Sequence, residues 1–233
     1  MMENNIHSYQ KQIRLTVGKD PMPISNISKY IEYSKLKDFC FGVPNFKDAK
    51  KFIETYEWLG YIGRGRIVYG MWKESKLYGV EVFCPLPILA AKQFPQEIRD
   101  KILYLSRGAC CLEAGENAGS MLLGACLRHL KFRGYWLIIA YSDTNAGEGG
   151  YLYKASNFVY AGETKSAGTT YVRIHGKWYS PKSLYNTFKT TDYTSLSGVE
   201  EVKQDTSNKK RWIYILNKEI LNYIPKSWQN KEE

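Results

Sequence analysis

Two polar side chains follow an apolar run in an order that suits acid–base chemistry. The run YWLIIAYS, residues 135–142, ends directly before Asp143, and the glycine-rich loop that follows leads to Tyr153. A carboxyl group at the end of a buried strand is partly removed from water, which raises its pKa toward values useful for accepting a proton. Tyr153 could donate a proton or stack on a flat ligand. Gly149 and Gly150 would let the backbone approach a bulky ligand between these two side chains.

A second group of polar residues lies upstream, in the segment LSRGACCLEAGENAGS. Arg107 has a planar guanidinium that can bind a phosphate or a carboxylate through two hydrogen bonds. Asn117 is a candidate N-cap of an apolar helix that ends at Gly134. Ser120 lies three positions after that cap, where its hydroxyl and nearby backbone N–H groups could bind a carboxyl or carbonyl oxygen. Gly119 opens access to the same stretch of backbone.

The elements that would position these residues alternate between helices and strands. Residues 45–60 carry apolar side chains at helical spacing, and RIVYGMWKES followed by LYGVEVFCPL predicts a hairpin. A strand over 103–111, the apolar helix and the strand over 135–142 form a right-handed crossover in an α/β fold. Ligands of such sheets bind at the carboxyl ends of the strands, so loops 112–120 and 142–150 should lie together.

The remaining segments have weaker patterns. Residues 27–39, ISKYIEYSKLKDF, predict a helix or a turn, and the polar residues 190–208 predict a loop or linker. The last 25 residues predict a strand or a helix that packs back on the core. We therefore divide the chain into a catalytic domain, residues 1–189, and a linker with a C-terminal extension packing on the core, residues 190–233.

Charge and composition favour a polyanionic partner. The 233 residues carry 33 basic and 23 acidic side chains, for a net charge of +10, and 15% of them are aromatic. Lys and Arg attract the phosphates of nucleic acid without regard to sequence, and aromatic rings can stack on its bases. A merely solubilising basic surface is the alternative interpretation.

Several classes of protein are disfavoured. The five cysteines form no CxxC pair and the three histidines are far apart, so no metal or disulfide motif is present. The sequence still allows a metal site assembled from carboxylates and tyrosines that are distant in the chain. Because the sequence has no apolar run of 18 residues and no apolar leader, we expect a soluble, cytoplasmic protein without membrane contact.

The segment NAGEGGYLYKASNFVYAG resembles the last α/β unit of the GNAT acyltransferase superfamily. The superfamily pattern is an Asn, a small-residue turn, a Leu-Tyr helix end with a following Gly-Phe, and a strand that ends in Gly. Its positions fall on Asn145, Leu152, Tyr153, Lys154, Asn157, Phe158 and Gly162. This resemblance implies a GNAT-like central mixed sheet flanked by helices, in which the helix tyrosine protonates the departing thiolate.

A narrower resemblance covers roughly residues 100–186. Four segments are similar to parts of the Mom family of phage DNA-modification proteins: LSRGACC, NAGS, YSDTNAGEGGYLYKASNFVYAGET and YVRIHGKWYSPKSL. A fifth segment, EYSK, is a weaker match. The resemblance implies conversion of adenine in double-stranded DNA to N6-carbamoylmethyladenine, which protects a phage genome from restriction. Carried over by position, the catalytic residues are Arg107, Ser120, Asp143 and Tyr153, and Tyr33 is a further substrate-binding position. We also predict substrate binding by Asn117, Gly119, Asn145, Gly149, Gly150 and Asn157.

The resemblance implies a small-molecule donor whose identity the sequence leaves open. GNAT enzymes bind the pyrophosphate of CoA at a glycine-containing loop before a helix, where N–H groups and the helix dipole favour anions. The equivalent loop, LEAGENAGS, contains Gly115 and Gly119 but also Glu113 and Glu116, which would repel phosphates. An acyl-CoA-like donor and an iron or other metal ion both remain open, as does the oligomeric state.

Two other functions fit the same sequence. One is an ordinary GNAT N-acyltransferase that uses acyl-CoA on a protein or a small amine, and the other is a non-catalytic GNAT-like module that binds nucleic acid. The individual residues also have structural interpretations: Asp143 as a turn or helix cap, Ser120 as a first-turn helix residue, Arg107 as an ion-pair partner and Tyr153 as a core side chain.

Overall fold

The computed structural model describes residues 18–57, 59–63, 65, 67–144, 147–164, 168–205 and 208–229. Contacts divide the chain into two compact units: residues 1–162 with 210–233, and residues 163–209. The boundary predicted after residue 189 falls inside the second unit, so the two divisions differ. The predicted division into a catalytic domain and an extension stays a prediction.

Strands dominate the described residues. They are β1 (Met22–Pro23), β2 (Ile31–Leu36), β3 (Phe39–Val43), β4 (Ile67–Lys73), β5 (Lys76–Pro85), β6 (Ile102–Cys110), β7 (Leu137–Asp143), β8 (Val159–Glu163), β9 (Thr169–Ile174), β10 (Lys177–Tyr179), β11 (Val199–Asp205) and β12 (Lys209–Ile215). The α-helices are α1 (Phe46–Tyr56), α2 (Ile88–Ala91), α3 (Ala118–Phe132), α4 (Tyr151–Ala155) and α5 (Pro181–Phe188). Short 3-10 turns connect several of them.

The large sheet is mixed, with the strand order β2-β3-β4-β5-β6-β7-β12-β8 and β1 added beside β5. Strands β2 to β6 pair in antiparallel fashion, and β6 pairs with β7 in parallel across the connection through α3. The predicted hairpin is confirmed as β4 and β5, and the predicted crossover as β6, α3 and β7. The predicted α/β fold with a central mixed sheet is therefore confirmed.

Helix α1 forms because its apolar residues share one face. Asn45 caps it by accepting a hydrogen bond from the Lys47 N–H, and Ala49, Phe52 and Ile53 are fully buried. Burying a side chain the size of Phe or Ile contributes about 2 to 3 kcal/mol, which holds the helix on the sheet.

Strand β7 is buried on both faces of the sheet. Ile138 and Ala140 belong to the apolar cluster that contains α3, whereas Leu137 and Ile139 belong to a second cluster with Ile213 of β12. Alternate residues of a strand point to opposite faces, so a strand covered on both sides must be apolar throughout. The continuous apolar run therefore predicted this central position correctly.

The second unit has its own small core. Strands β10, β9 and β11 form a three-stranded antiparallel sheet in that order. Val172, Ile174 and Leu184 are buried together in this unit. His175 and Gly176 form its tight turn, both with positive φ, as the predicted His-Gly-Lys turn requires.

Two local predictions are wrong. Residues 27–39 form a single 3-10 turn followed by β2 and the turn into β3, because pairing with β3 overrides the helix-like spacing. Residues 199–205, predicted as loop or linker, form β11, because β9 supplies the hydrogen bonds that a polar strand cannot obtain alone. The C-terminal segment contributes β12 to the interior of the large sheet, between β7 and β8.

Candidate functional site

A cleft opens where β6 and β7 separate. The two strands pair only over residues 102–104 and 137–139, although β6 continues to Cys110 and β7 to Asp143. On its other side β6 has a register shift at Ser106, whose hydroxyl donates to the carbonyl of Val82 at 3.0 Å. Bulges redirect side chains locally, and beyond this one β6 continues to pair with β5 as far as Cys110. The loops after both strands thus start at the same edge of the sheet, as predicted.

Tyr153 of α4 lies at this cleft. Its hydroxyl donates to the backbone carbonyl of Tyr141, in the part of β7 that no longer pairs with β6. Burial raises the pKa of Tyr153 well above its ordinary value of 10, and the nearby charge of Glu148 raises it further. The hydroxyl therefore stays protonated at neutral pH and acts as a hydrogen-bond donor.

Asp143 is buried at the end of β7, and Glu148 closes the loop after it. The Glu148 carboxylate accepts a hydrogen bond from the Asp143 N–H at 2.9 Å, and the Glu148 N–H donates to the Asp143 carbonyl at 3.0 Å. These two bonds fix the position of Asp143 at the cleft. Asn145, predicted to bind substrate, lies outside the described residues.

Arg107 reaches from β6 toward the end of α1. Its Nε donates to the carbonyl of Tyr61 at 2.7 Å and lies 3.8 Å from Oε2 of Glu57. Burial raises the pKa of Glu57 to about 7, although the Arg107 charge and the Leu59 N–H act to lower it. A carboxyl group that titrates near neutral pH is suited to accept and return a proton.

Glu81 of β5 is a third carboxyl group near the cleft. It is 1% exposed, its Oε2 has no hydrogen-bond partner among the described residues, and burial raises its pKa well above 4.5. Its carboxyl occupies the space where a Cβ would stand on Gly108, the paired residue of β6. An unpaired charge in this position would be strongly disfavoured, so Glu81 is protonated in the folded protein.

Ser120, Asn117 and Gly119 lie at the start of α3. The Ser120 hydroxyl donates to the carbonyl of Asn117 at 3.1 Å, and the Asn117 side chain makes no capping hydrogen bond. Gly119 faces Leu152 of α4, where a Cβ would stand 3.2 Å from its Cδ1. Gly119 thus lets α3 pack closely against the helix that carries Tyr153, whereas the hydrogen bond of Ser120 stays within its own helix start.

The loop before α3 has some features that favour binding of an anionic group and others that oppose it. Gly115 has φ of 93° and open space on its Cβ side, next to the uncapped helix end. The N–H groups of Leu112 and Glu113, however, donate to the carbonyls of Gly18 and Lys19. The N–H groups of Gly115 and Ala118 are bonded as well, to the carbonyls of Leu112 and Gly115. What remains for a phosphate is the rest of the first turn of α3, where the dipole favours anions.

The other predicted substrate-binding residues have clear local roles. Gly150 has φ of 81°, and a Cβ there would overlap the ring of Trp212, so only glycine allows this approach. Gly149 is half-buried beside the ring of Tyr151. Asn157 is exposed with φ of 62° at the end of α4, a left-handed position that Asn tolerates. Their assignment to substrate binding stays a prediction.

Tyr33 does not lie at the cleft. It belongs to β2 at the edge of the sheet, separated from β6 by three strands, which at about 4.8 Å per strand spacing corresponds to roughly 19 Å. The structure therefore brings Arg107, Asp143 and Tyr153 to one cleft, with Ser120 at its helix, and leaves Tyr33 elsewhere.

Sequence reasoning missed the three glutamates of the cleft. Glu81 had a signal, since it is the single acidic residue in the apolar strand sequence LYGVEVF. Glu148 lies in the loop that the sequence did single out, but its role depends on a local turn. No sequence pattern pointed to Glu57, because the residue it lies beside, Arg107, is 50 positions away in the sequence.

No group of three or more His, Cys, Asp or Glu side chains within the described ranges is placed to hold a metal ion. None of the helices in the part of the chain that the structure describes is long and apolar enough to cross a membrane. All five cysteines have free thiols.

Known proteins resemble the chain at two levels. In fold, a putative GNAT-family acetyltransferase from Desulfovibrio desulfuricans aligns with a TM-score of 0.46 and 11% identity, over 77% of this chain and 99% of its own. The ribosomal-protein-S18-alanine N-acetyltransferase from Escherichia coli aligns with a TM-score of 0.45 and 12% identity, over 76% and 94%. A putative acetyltransferase from Salmonella typhimurium, solved with acetyl-CoA, aligns with a TM-score of 0.41 and 11% identity, over 75% of each chain.

In sequence, none of the curated proteins matches the chain. A family model described as the Mom protein family, however, matches residues 38–230. This range contains the whole cleft, from Glu57 to Tyr153, and all but the first two strands. The resemblance seen in the sequence motifs is thereby confirmed over most of the chain. The chain belongs to the Mom protein family.

Proposed function

We propose that the protein is a transferase that converts the N6 amine of adenine in DNA to its N6-carbamoylmethyl form and so protects phage DNA from restriction. The family match over residues 38–230 carries this proposal, because membership in the Mom family implies this reaction. The cleft between β6 and β7 is the proposed site, since it joins titratable groups with a hydrogen-bond donor.

The reaction requires that the adenine amine lose a proton. The N6 nitrogen forms a bond to the methylene carbon of the donor, and the bond from that carbon to its leaving group breaks with the electron pair. One N6 proton moves to a protein carboxylate. Glu57, with a pKa of about 7, and Asp143 at the end of β7 are the acceptors we propose.

Tyr153 and Arg107 have supporting roles in this proposal. The Tyr153 hydroxyl stays protonated and donates a hydrogen bond toward the reacting group or its leaving group. The Arg107 guanidinium lies 3.8 Å from the Glu57 carboxyl, and its positive charge limits the rise in the pKa of Glu57. The same guanidinium could bind a carboxylate or phosphate of the substrates.

The donor would enter at the start of α3. The first turn of α3 has no side-chain cap and Gly115 leaves open space beside it, which would admit a phosphate of an acyl-CoA-like donor. Such a donor would have to carry its leaving group on the methylene carbon of the transferred group, because attack at a thioester carbonyl would give an N6-acyl amide and not the N6-carbamoylmethyl product. Ser120, in the same turn, would bind its carbonyl oxygen.

DNA is the partner that the charge supports. The net charge of +10 favours binding to phosphates, and the target adenine must leave the duplex stack before its amine can reach the cleft. The five free thiols suit the reducing cytoplasm of a host cell, where we place the reaction.

The test is mass spectrometry of nucleosides from plasmid DNA of cells that express the protein. We expect a deoxyadenosine with an added carbamoylmethyl group from the wild-type protein and from the control Asp38→Ala, an exposed turn residue. Asp143→Ala and Tyr153→Phe should abolish the product and leave duplex affinity within a few fold. Full activity of both variants would show that the cleft is not the site.

Other outcomes identify the two alternative functions. Transfer of an acyl group from acyl-CoA to a protein or small amine, without DNA binding, would identify an ordinary acyltransferase. Salt-sensitive DNA binding without any altered base would identify a non-catalytic binding module. Either result would contradict the proposed reaction.

A further inference from the structure

A β-bulge in the edge strand β2 sets the direction of the Tyr33 side chain. Glu32 pairs with Gly42 and Ser34 pairs with Phe41, so Tyr33 is the extra residue of a bulge in β2. The bulge requires glycine at position 42, because a Cβ there would overlap the carbonyl oxygen of Ile31. Bulges of this kind commonly redirect one side chain, and here the redirected side chain is an exposed tyrosine.

The redirected ring joins two others at the end of α3. The ring centroids of Tyr33 and His129 are 4.2 Å apart, and those of His129 and Phe132 are 6.4 Å apart with an interplanar angle of 15°. Tyr33 is 44% exposed and Phe132 is 88% exposed. We call Tyr33, His129 and Phe132 the aromatic platform.

His129 holds the platform in place. Its Nδ1 lies 3.0 Å from the hydroxyl of Tyr69, a fully buried side chain on β4. Burial and the nearby charge of Arg133 lower the pKa of His129, so its ring is neutral at pH 7. A fixed, neutral ring with two exposed neighbours offers stacking surface at little entropic cost, since the central ring is already ordered.

Three basic residues flank His129 and Phe132 in the sequence, and one of them, Arg133, lies near enough to Tyr33 and Tyr69 to interact with both. Arg128, Lys131 and Arg133 are exposed in the last turns of α3, and the guanidinium of Arg133 lies 5.7 Å from the ring centroid of Tyr135. A single exposed phenylalanine would need no explanation. Rings interleaved with cations, however, match the alternation of bases and phosphates along one strand of nucleic acid.

The platform is within reach of the cleft along one DNA strand. His129 follows Ser120 by nine positions in α3, which corresponds to about 13 Å along the helix axis. A strand advances roughly 3.4 Å per nucleotide, so about four nucleotides separate the two places. An enzyme that acts on a base can take single-stranded DNA as its substrate, and such a strand provides unpaired nucleotides at this range.

We propose that the aromatic platform binds unpaired nucleotides of the DNA substrate beside the target adenine, with bases on Tyr33 and Phe132 and phosphates on Arg128, Lys131 and Arg133. This rests on the proposed function, because it takes DNA as the substrate. The platform is a second contact region, separate from the cleft where the reaction occurs.

The experiment measures fluorescence anisotropy of a labelled 12-nucleotide single strand and of the matching duplex, with the full-length protein at 0.1 M salt. Phe132→Ala removes an exposed ring without disturbing the core, and Tyr33→Leu removes the second ring while keeping an apolar side chain. Loss of stacking on one base should weaken single-strand binding roughly fivefold to a hundredfold. Duplex binding should change less than twofold.

Phe46→Ala is the matched control, since Phe46 is also an exposed phenylalanine on a helix, with 51% exposure. It should leave the affinity for both DNA forms unchanged. Arg133→Gln should reduce the slope of log K against log salt for the single strand by about 0.7. Single-strand affinities of Phe132→Ala and Tyr33→Leu within twofold of the wild type, or no single-strand binding by the wild-type protein, would overturn the proposal.

The nucleoside assay separates this inference from the proposed function. Platform-dependent single-strand binding without modified adenine would contradict the reaction and leave the binding site intact. Modified adenine together with unchanged binding by the platform variants would contradict the platform alone. A change of oligomeric state in Phe132→Ala, measured by sedimentation, would show that the surface joins two copies of the chain and would also overturn the proposal.

Discussion

Glu57 predicts a specific dependence of stability on pH. Its carboxyl is almost fully buried, and burial raises its pKa in the folded protein to about 7 from the ordinary value of 4.5. A raised pKa means that the folded state binds the proton more tightly than the unfolded state does. Stability from this group is therefore complete below pH 4.5 and is lost as the pH rises through 7.

The size of this change in stability follows from the difference between the folded and unfolded pKa values of Glu57. A difference of 2.5 pKa units, at 1.36 kcal/mol per unit, corresponds to about 3 kcal/mol between pH 4 and pH 8. Glu57→Gln removes the titration and keeps an oxygen that can accept from the Leu59 N–H, as Glu57 does at 2.9 Å. Relative to this variant, the wild-type protein should lose about 3 kcal/mol over that range, or roughly 6 to 12 °C in Tm.

Urea or thermal unfolding of both proteins at several pH values measures this difference directly. Other titrating groups cancel in the comparison, because both proteins contain them. Glu54→Gln is the control, since it removes an exposed carboxylate of the same helix that pairs with Lys50, and should change stability by less than about 0.5 kcal/mol. Parallel pH profiles of the wild type and Glu57→Gln would refute the argument that burial dominates at this residue.

Two further variants test the packing that shapes the cleft. Gly150→Ala should destabilise the protein by about 3 kcal/mol or more in urea unfolding, because it combines a positive φ with an overlap of the Trp212 ring; an unchanged midpoint would show that this approach is not tight. Gly108→Ala should cost about 1 to 3 kcal/mol in the wild type but much less in a Glu81→Ala background, where the obstructing carboxyl is gone. Additive effects in that double-mutant cycle, measured by the same unfolding, would disprove the contact.

The sequence by itself determined the elements whose pattern is local. Helix α1 and strand β7 were predicted because their apolar residues repeat at the period of the element, and each element buries what the pattern says it should. The motifs around Arg107, Asp143 and Tyr153 likewise predicted a shared cleft, because parallel strands end at a common edge.

Only the tertiary structure decided the features that depend on distant partners. Strand β2 has helix-like spacing, and its bulge exists because the backbone of β3 approaches closely at Gly42. The pKa of Glu57 depends on burial beside Arg107, a residue of another strand. Periodicity reports which face of an element is buried, but it carries no information about which charges the fold buries together, and that arrangement sets the chemistry of the cleft.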